Sequence, residues 1–268
     1  MTSAEPSFDV GGESAGADDW DEHWARYAGA AEQNPAQAFR RSLIISALGV
    51  REPGARVLDI GSGTGDLAAD LLAVLPRCEV LGVELSATGV EIARRKVPAA
   101  RFEECDLLAP DPVAEGDRAW ADHAICSEVL EHVDDPVALL RGARALLAPG
   151  CLVVVTVPGG PMSAFDRHIG HRRHFRPDGL AEVLASAGLD VVWARGAGFP
   201  FFNLYRLGVI ALGERLIENA STESAKPPES RAIRWGSKVF ESLFRLNRRR
   251  GRFGFQTVAL ACNPDRAS

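Results

Sequence analysis

The chain has 268 residues, of which 46% are hydrophobic and 25% are charged, a composition typical of a globular protein with a substantial core. A formal net charge of -6 argues against a dedicated nucleic-acid binder. The five cysteines stand singly, which favours buried thiols over a disulfide framework or a cysteine-based zinc site. No signal peptide and no apolar run of about 20 residues is present, so we expect a cytoplasmic protein with at most peripheral contact with the inner face of the membrane.

The N-terminal region predicts a tail followed by a helical cap. Residues 1–18 are rich in Ser, Gly, Ala and acids, which is typical of a disordered segment. Two helices are predicted next, one over about 20–30 and one from Pro35 to Leu48, ended by Gly49. Because they precede the repeating part of the chain, residues 19–50 are interpreted as a cap.

Between residues 51 and 198, short β-rich runs alternate with helical patterns. The predicted strands are 55–60, 79–84, 100–106, 119–127, 151–158 and 189–194, and the predicted helices are 65–75, 87–96, 136–147 and 178–187. Nearly continuous apolar strands that alternate with helices are typical of a parallel sheet covered on both faces. The sequence therefore predicts an α/β, doubly wound, Rossmann-like core.

Residues 199–252 depart from this alternation. They begin with the apolar run GFPFFNLYRLGVIALGERLI, and residues 231–252 hold eight Lys or Arg against one acid. We interpret the segment as a helical insertion before a last strand and C-terminal tail in residues 253–268. Two roles stay open: a lid over the site, which we favour, or a surface that docks on an anionic membrane or a long apolar substrate.

A glycine-rich stretch, VLDIGSGTGD, spans residues 57–66 where the first strand turns into a helix. Its glycines let the backbone turn tightly and approach a ligand at the helix N-terminus. Asp66 stands where a dinucleotide fingerprint has its third glycine, and a carboxylate there would repel a pyrophosphate. A ligand with a cationic amino-acid end fits better, because Asp59 can attract an ammonium or sulfonium group.

Acids also end the second and third predicted strands. Glu84 is placed to accept hydrogen bonds from ribose hydroxyls, and Asp106 can take an adenine amine. Together with Asp59 they mark the carboxyl ends of three successive strands. The predicted cofactor contacts are Asp59, Gly61, Ser62, Gly63, Gly65, Glu84, Leu85, Asp106, Leu107 and Ser127.

These motifs resemble those of the class I S-adenosylmethionine-dependent methyltransferases. VLDIGSGTGDLA looks like their first motif, Glu84 like their ribose-binding acid and Asp106 like their adenine-contacting residue. The resemblance covers about residues 50–195 and the final strand. It implies S-adenosylmethionine as the cofactor and a seven-stranded sheet of order 3-2-1-4-5-7-6 whose last strand is antiparallel.

Next to the fourth strand lies ICSEVLEHVDDP, residues 125–136. If SEVLEHV starts as a helical turn, Glu128, Glu131 and His132 share one face and are competent ligands for Mg²⁺ or another divalent metal. The stretch DRHIGHRRHF, residues 166–175, follows the fifth strand and reaches the same sheet edge, where His171 can supply a fourth ligand.

This arrangement resembles two families. The small-RNA 2′-O-methyltransferases hold a metal with an ExxEH motif and a downstream histidine. The ubiquinone-pathway O-methyltransferases carry a similar EHV turn, a downstream histidine with an aromatic residue and a proline, and an upstream Asn-Pro with an arginine. The matching residues are Glu128, Glu131, His132, His171, Phe175, Pro177, Asn34, Pro35 and Arg40. Because DRHIGHRRHF is richer in histidine than either pattern, His168 and His174 stay open as equivalents of His171.

Three roles for the histidine cluster remain open: a metal site of Glu128, Glu131, His132 and His171, a general base among His132, His171 and His174, or a structural role. Arg167, Arg172, Arg173 and Arg176 could separately bind an anionic substrate group. The expected function is O-methylation of a small or lipid-like acceptor such as a quinone precursor, a secondary metabolite or a sugar. RNA 2′-O-methylation, which the acidic chain opposes, and a non-catalytic cofactor-binding protein are the alternatives.

Overall fold

The computed structural model describes residues 20, 21, 24, 35–50, 52–211, 240, 242–248, 251 and 253–264. Its centre is a seven-stranded sheet of order β3-β2-β1-β4-β5-β7-β6, as predicted. The strands are β1 Arg56–Ile60, β2 Glu79–Glu84, β3 Arg101–Glu104, β4 Ala121–Ser127, β5 Leu147–Pro158, β6 Asp190–Ala197 and β7 Gln256–Cys262. The first five pair in parallel, and β7 runs antiparallel between β5 and β6. The antiparallel last strand is therefore confirmed.

Seven α-helices lie within the described residues, and three of them begin at a polar side-chain cap. They are α1 Pro35–Leu48, α2 Asp66–Val74, α3 Ala87–Lys96, α4 Pro136–Ala143, α5 Ala164–His168, α6 Pro177–Ser186 and α7 Phe201–Ala211. Ser86 caps α3 by accepting from the Gly89 N–H, and Asp135 caps α4. The helix predicted over 136–147 is too long, because a 3₁₀ turn follows α4 and β5 already begins at Leu147. The short helix α5 was not predicted.

Hydrophobic cores lie on both faces of the sheet. Leu58 and Ile60 pack into the cluster that includes residues of α4 and α6, whereas Val57 faces the cluster that includes residues of α1, α2 and α3. Successive residues of a strand point to opposite faces, so a strand covered on both sides is apolar at nearly every position. All five cysteines are free thiols; Cys78, Cys126 and Cys151 are buried as predicted, and Cys105 and Cys262 are partly buried.

The insertion of residues 199–252 is described mainly through α7. Phe202 is fully buried, with its ring centroid 5.2 Å from that of Phe39. The Asn203 side chain connects α7 to the segment that precedes β7. It donates to the Phe253 carbonyl at 2.6 Å and accepts from the Phe255 N–H at 2.8 Å. No described helix is long and apolar enough to cross a membrane. The lid and docking roles, and the tail at residues 1–18, involve residues outside the described ranges and stay predictions.

Candidate functional site

The glycine loop after β1 is built around the Glu84 carboxylate. Gly61 and Gly63 have φ values of 68° and 52°, a region that glycine enters without strain. The Gly63 N–H donates to one Glu84 oxygen at 2.8 Å, and the Ser86 N–H donates to the other at 3.1 Å. Burial raises the pKa of Glu84, and these backbone hydrogen bonds oppose that rise. The acid predicted to bind ribose is therefore fixed at the end of β2.

Asp59 lies beneath this loop and is 3% exposed. Its Oδ2 atom has no hydrogen-bond partner among the described residues. Burial, followed by the charge of Glu84, raises the pKa of Asp59 to about 7. A buried carboxyl oxygen without a partner is costly unless a ligand completes it, so this position suits a cationic group.

The first cleft runs from the glycine loop along the ends of β2 and β3. Leu85, Leu107 and Leu108 form part of its apolar lining, and Asp106 lies beside them. The Asp106 carboxylate accepts from the Leu108 N–H at 2.9 Å, which shapes the turn after β3. Gly61 also lines this cleft, and a Cβ atom there would lie 2.4 Å from Val129 Cγ2. The first cleft thus combines apolar walls with the acids Glu84 and Asp106, a lining that suits an adenosine moiety.

Two further predicted cofactor residues lie outside the first cleft. Gly65 does not line the two clefts described here. A Cβ atom at this position would lie 3.1 Å from Ala93 Cβ, so the glycine allows close packing of α3. Ser127 lines the second cleft, and its hydroxyl lies 2.9 Å from that of Thr156.

Residues of the predicted cap cover the glycine loop, which the sequence interpretation did not assign to the site. Both Trp20 and Trp24 line the first cleft, and a Cβ atom at Gly63 would lie 2.8 Å from the Trp24 ring. Asp21 accepts from the Thr88 N–H at 3.0 Å, which attaches this segment to the start of α3. The signal was the pair of tryptophans in WDEHW, directly after a stretch poor in large apolar residues.

Glu128 is separated from the cluster in which it was predicted. The helical turn predicted for SEVLEHV is absent: Glu128 has a φ of 57°, and residues 130–132 form a turn. The Glu128 carboxylate lies 3.0 Å from Arg40 Nε and accepts from Gln256 Nε2 at 2.7 Å. Both of its oxygens are therefore occupied by side chains from α1 and β7.

Glu131, His132 and His171 do come together, with possible ligand atoms within 4.8 Å of one another. Glu131 is fully buried, and neither of its carboxylate oxygens has a hydrogen-bond partner in the described part of the chain. Burial, followed by the charge of Glu128, raises the pKa of Glu131 well above its usual value. The rings of His132 and His171 are perpendicular, with centroids 4.7 Å apart.

The other histidines of DRHIGHRRHF are placed differently. His168 is exposed at the end of α5. His174 is not among the residues that line the two clefts, and its Nε2 atom lies 3.2 Å from His171 Nδ1. Burial, followed by the neighbouring His132, lowers the pKa of His171 to about 3, so its ring is neutral. Of the three catalytic candidates, His132 and His171 line the second cleft and His174 lies behind it.

The second cleft adjoins the first at the histidines. Trp20, Trp24, Gly61, Glu128 and His132 line both clefts. Apolar side chains from α5, α7 and the loop between α5 and α6 line the second cleft: Phe165, Ile169, Tyr205 and Val209. A ligand in the first cleft and a ligand in the second would therefore meet beside His132.

The four arginines predicted to bind an anionic group do not line these two clefts. Arg172 pairs with the Asp134 carboxylate, and Arg173 donates to the Asp134 carbonyl at 2.9 Å. The prediction for Arg167, Arg172, Arg173 and Arg176 has no support from this geometry. The loop instead uses Arg172 and Arg173 to anchor the turn that carries Glu131 and His132.

The sheet order, the glycine loop and the acids at the strand ends define the fold of the S-adenosylmethionine-dependent methyltransferases. Residues 30–194 match the sequence profile of a family described as a methyltransferase domain. That match covers more than half of the chain, and the chain belongs to this family.

Two curated relatives show the extent of the similarity. The chain is 38% identical over 181 residues to an uncharacterized 37.1 kDa protein in transposon TN4556 of Streptomyces fradiae, covering 62% of this chain and 51% of that protein. It is 32% identical over 170 residues to the ubiquinone biosynthesis O-methyltransferase of Cereibacter sphaeroides, covering 54% of this chain and 64% of that one. The chain thus matches about half to two thirds of the length of these relatives.

Solved structures share the fold. Phosphoethanolamine N-methyltransferase 2 of Haemonchus contortus, in complex with S-adenosyl-L-methionine, aligns with a TM-score of 0.54 at 20% identity. The alignment covers 84% of this chain and 52% of that chain.

Proposed function

We propose that the chain transfers the methyl group of S-adenosylmethionine to a hydroxyl of a small or lipid-like acceptor. The observation that carries the proposal is the junction of the two clefts at His132, where Glu131 and His171 also lie. The adenosine end of the cofactor would occupy the first cleft, and its amino-acid end would pass the glycine loop towards Asp59 in the second cleft. The acceptor would occupy the remainder of the second cleft. The similarity to ubiquinone biosynthesis O-methyltransferases supports oxygen as the acceptor atom.

The residues of the first cleft, together with Asp59 in the adjoining part of the second, fit S-adenosylmethionine. Glu84 would accept from the ribose hydroxyls, and Leu85, Leu107 and Asp106 would surround the adenine. The partnerless oxygen of Asp59 would receive the cationic amino-acid end. When bound, the cofactor supplies a methyl group on a sulfonium. Trp20 and Trp24 would keep water away from it, because both line the two clefts where they join.

The reacting end offers two chemistries. Glu131, His132 and His171 fit a divalent cation, since the Glu131 oxygens are buried without a partner among the described residues and suit hard or borderline metals. When bound, such a cation supplies Lewis acidity that lowers the pKa of an acceptor hydroxyl. Without a cation, the neutral ring of His171 would accept a hydrogen bond from the acceptor hydroxyl and take its proton as the oxygen gains the methyl group, because that proton then becomes strongly acidic. The lowered pKa of His171 makes the ring a weak base towards the unreacted hydroxyl. Both chemistries need the His171 lone pair.

The second cleft favours an acceptor with an apolar body and a polar head. Phe165, Ile169, Tyr205 and Val209 supply apolar contact, whereas Glu128 and the histidines lie at the junction with the first cleft. A phenolic acceptor with an apolar tail matches this distribution. RNA 2′-O-methylation has less support, because Arg172 and Arg173 are engaged by Asp134 and are not in the linings of the two clefts.

The proposal is tested with purified protein, S-adenosylmethionine and three acceptors: a phenol with an isoprenoid tail, the same phenol without the tail, and a short RNA. Product mass spectra report methylation. We expect methyl transfer to the tailed phenol at the highest rate, and loss of activity in the His171→Ala and His132→Ala variants. His168→Ala is the matched control, since this histidine is exposed.

Addition of EDTA, followed by Mg²⁺ or Mn²⁺, separates the two chemistries. If EDTA abolishes activity and the metal restores it, the reaction uses a metal. If EDTA has no effect but His171→Ala is inactive, His171 acts as the base. Full activity in both histidine variants would contradict either role. If only the RNA is methylated, and the affinity of the protein for RNA falls steeply as salt is added, the acceptor is a nucleic acid and not a small molecule.

A further inference from the structure

The loop that carries His171 and His174 is fixed by backbone hydrogen bonds at both ends. The His171 N–H donates to the Asp166 carbonyl at 2.9 Å, and the Arg172 N–H donates to the Glu131 carbonyl at 2.8 Å. At the other end, the Phe175 N–H donates to the Pro158 carbonyl at 2.9 Å. The backbone at His171 and His174 is therefore held in place. The hydrogen-bond partner of each imidazole ring then decides which ring nitrogen carries the hydrogen.

The hydrogen on His174 follows from its contact with Gly160. His174 Nδ1 lies 3.2 Å from the Gly160 carbonyl oxygen, which can only accept. The hydrogen must therefore be on Nδ1. With Nδ1 as the donor, the second nitrogen of the uncharged ring, Nε2, carries the lone pair.

The contact with His174 likewise determines which nitrogen of His171 carries the hydrogen. Its Nδ1 atom lies 3.2 Å from His174 Nε2, and because the latter atom is an acceptor, His171 Nδ1 must donate. The remaining nitrogen of a neutral His171, Nε2, then carries the lone pair. That lone pair is the one His171 can offer to a metal or to a proton.

Asp166 does not change the assignment of hydrogen to Nδ1 in the two histidines. Its Oδ2 atom is 3.8 Å from His174 Nε2, beyond hydrogen-bond distance, and both of its oxygens accept from Arg206, at 3.1 and 2.9 Å. Burial would raise the pKa of Asp166, but the hydrogen bonds from Arg206 and Ser163 outweigh it and lower the pKa to about 2. The carboxylate is thus charged and already occupied.

We propose that His174 is a positioning residue that holds His171 in the Nδ1–H tautomer, which leaves the Nε2 lone pair available to the site formed with Glu131 and His132. This inference rests on the proposed function only for the use of that lone pair. Histidines that bind metals or act as bases are commonly oriented by a partner at the other ring nitrogen. Here the partner is a second histidine, anchored by the Gly160 carbonyl.

Nuclear magnetic resonance of protein labelled with ¹⁵N in the histidine rings tests the tautomer directly. The His171 signals are assigned by their loss in His171→Asn. In the unmodified chain we expect hydrogen on His171 Nδ1. His174→Phe removes the acceptor, so His171 should change to the Nε2–H tautomer, whereas the side-chain oxygen of His174→Gln can accept and should retain Nδ1–H. His168→Phe, six positions from His174 and exposed, should change nothing.

Kinetics supply a second measurement. His174→Phe should lower kcat about 10- to 100-fold with the KM for S-adenosylmethionine unchanged, the usual effect of losing a partner that orients a site histidine, and His174→Gln should recover part of the loss. An Nε2–H tautomer in the unmodified chain, or an unchanged His171 tautomer in His174→Phe, would overturn the inference. If the tautomer is as expected but His171→Ala transfers methyl at full rate, the proposed function fails and the tautomer assignment stands.

Discussion

Arg40 and Glu128, which lie 88 positions apart in the sequence, form an ion pair of 3.0 Å at the edge of the second cleft, with side chains 11% and 16% exposed. Arg40→Met would leave the Glu128 carboxylate buried without its cation, and we expect a loss of about 3 kcal/mol in the free energy of unfolding. Glu128→Gln in the same background should restore part of it. Urea titrations measure both.

Arg41→Met is the matched control for that pair. Arg41 is bonded to Asp70, whose side chain is 47% exposed, so we expect a loss below about 1 kcal/mol. Equal losses in the two arginine variants would contradict a special role for the Arg40–Glu128 pair.

Replacing Glu84 should weaken cofactor binding. Glu84→Gln keeps the size of the side chain but removes the charge and presents an N–H₂ group to one of two backbone donors, the N–H groups of Gly63 and Ser86. We expect affinity for S-adenosylhomocysteine, measured by calorimetry, to fall by about 1.5 to 3 kcal/mol. Glu79→Gln, at the exposed start of the same strand, is the control. Similar affinities of the two variants would refute the assignment of Glu84.

Gly61 should tolerate no side chain. An alanine Cβ would lie 2.4 Å from Val129 Cγ2 in a backbone with φ of 68°, so Gly61→Ala should lose both stability and cofactor affinity. Adding Val129→Ala removes the clash but leaves a conformational cost of about 1 to 2 kcal/mol, so recovery should be partial. Gly116→Ala, with no heavy atom within 4 Å, should be silent in the same thermal unfolding assay. Full recovery in the double variant would show that φ carries no cost.

Asp59 should make stability and cofactor binding depend on pH. Its pKa rises from 3.8 to about 7 on folding, so between these values the folded chain holds a proton that the unfolded chain has lost. Stability contributed by this group is therefore full below pH 4 and falls as pH rises towards about 7. In Asp59→Asn this fall should disappear, as measured by denaturant titrations across that range.

The same group should release a proton when a cationic ligand binds. An ammonium group beside Asp59 favours the carboxylate, so affinity for S-adenosylhomocysteine should decrease as pH falls below about 7. Calorimetry in two buffers with different ionisation enthalpies measures the released proton. Identical pH dependence in Asp59→Asn would assign the effect to another group.

Local patterns in the sequence were sufficient for most of the fold. The alternation of strands and helices and the bounds of α1 agree with the prediction because buried strands and amphipathic helices leave their periods in adjacent residues. The sheet order also agrees, but it followed from the resemblance to the methyltransferases and not from these local periods. Asp59 and Glu84 were predictable because each lies at or next to the end of its strand, and parallel strands end at one edge of the sheet. The observed end of α4 at Ala143 left no such signal in the sequence, because the 3₁₀ turn that follows continues the helical pattern up to β5. The predicted end was therefore too late.

The reacting end was less predictable, because its order depends on contacts between distant residues. The spacing of Glu128, Glu131 and His132 predicted a shared face, but Arg40 and Gln256 hold Glu128 elsewhere. The positive φ of Glu128 could not be predicted either, because in a sequence this conformation is normally indicated by glycine and not by glutamate. The role of His174 emerged only from the direction of two hydrogen bonds.

The placement of β7 has a consequence for how the chain acquires activity. Gln256, the first residue of β7, bonds both Glu128 and Arg40, which lie 128 and 216 positions earlier in the sequence. Contacts of such long range form late, because closing the intervening chain costs entropy before it brings any stabilisation. The parallel half of the sheet and its glycine loop can form from contacts closer in sequence. Cofactor binding should thus precede catalytic competence during folding. Competence should arrive when β7 enters between β5 and β6 and Gln256 reaches Glu128 and Arg40.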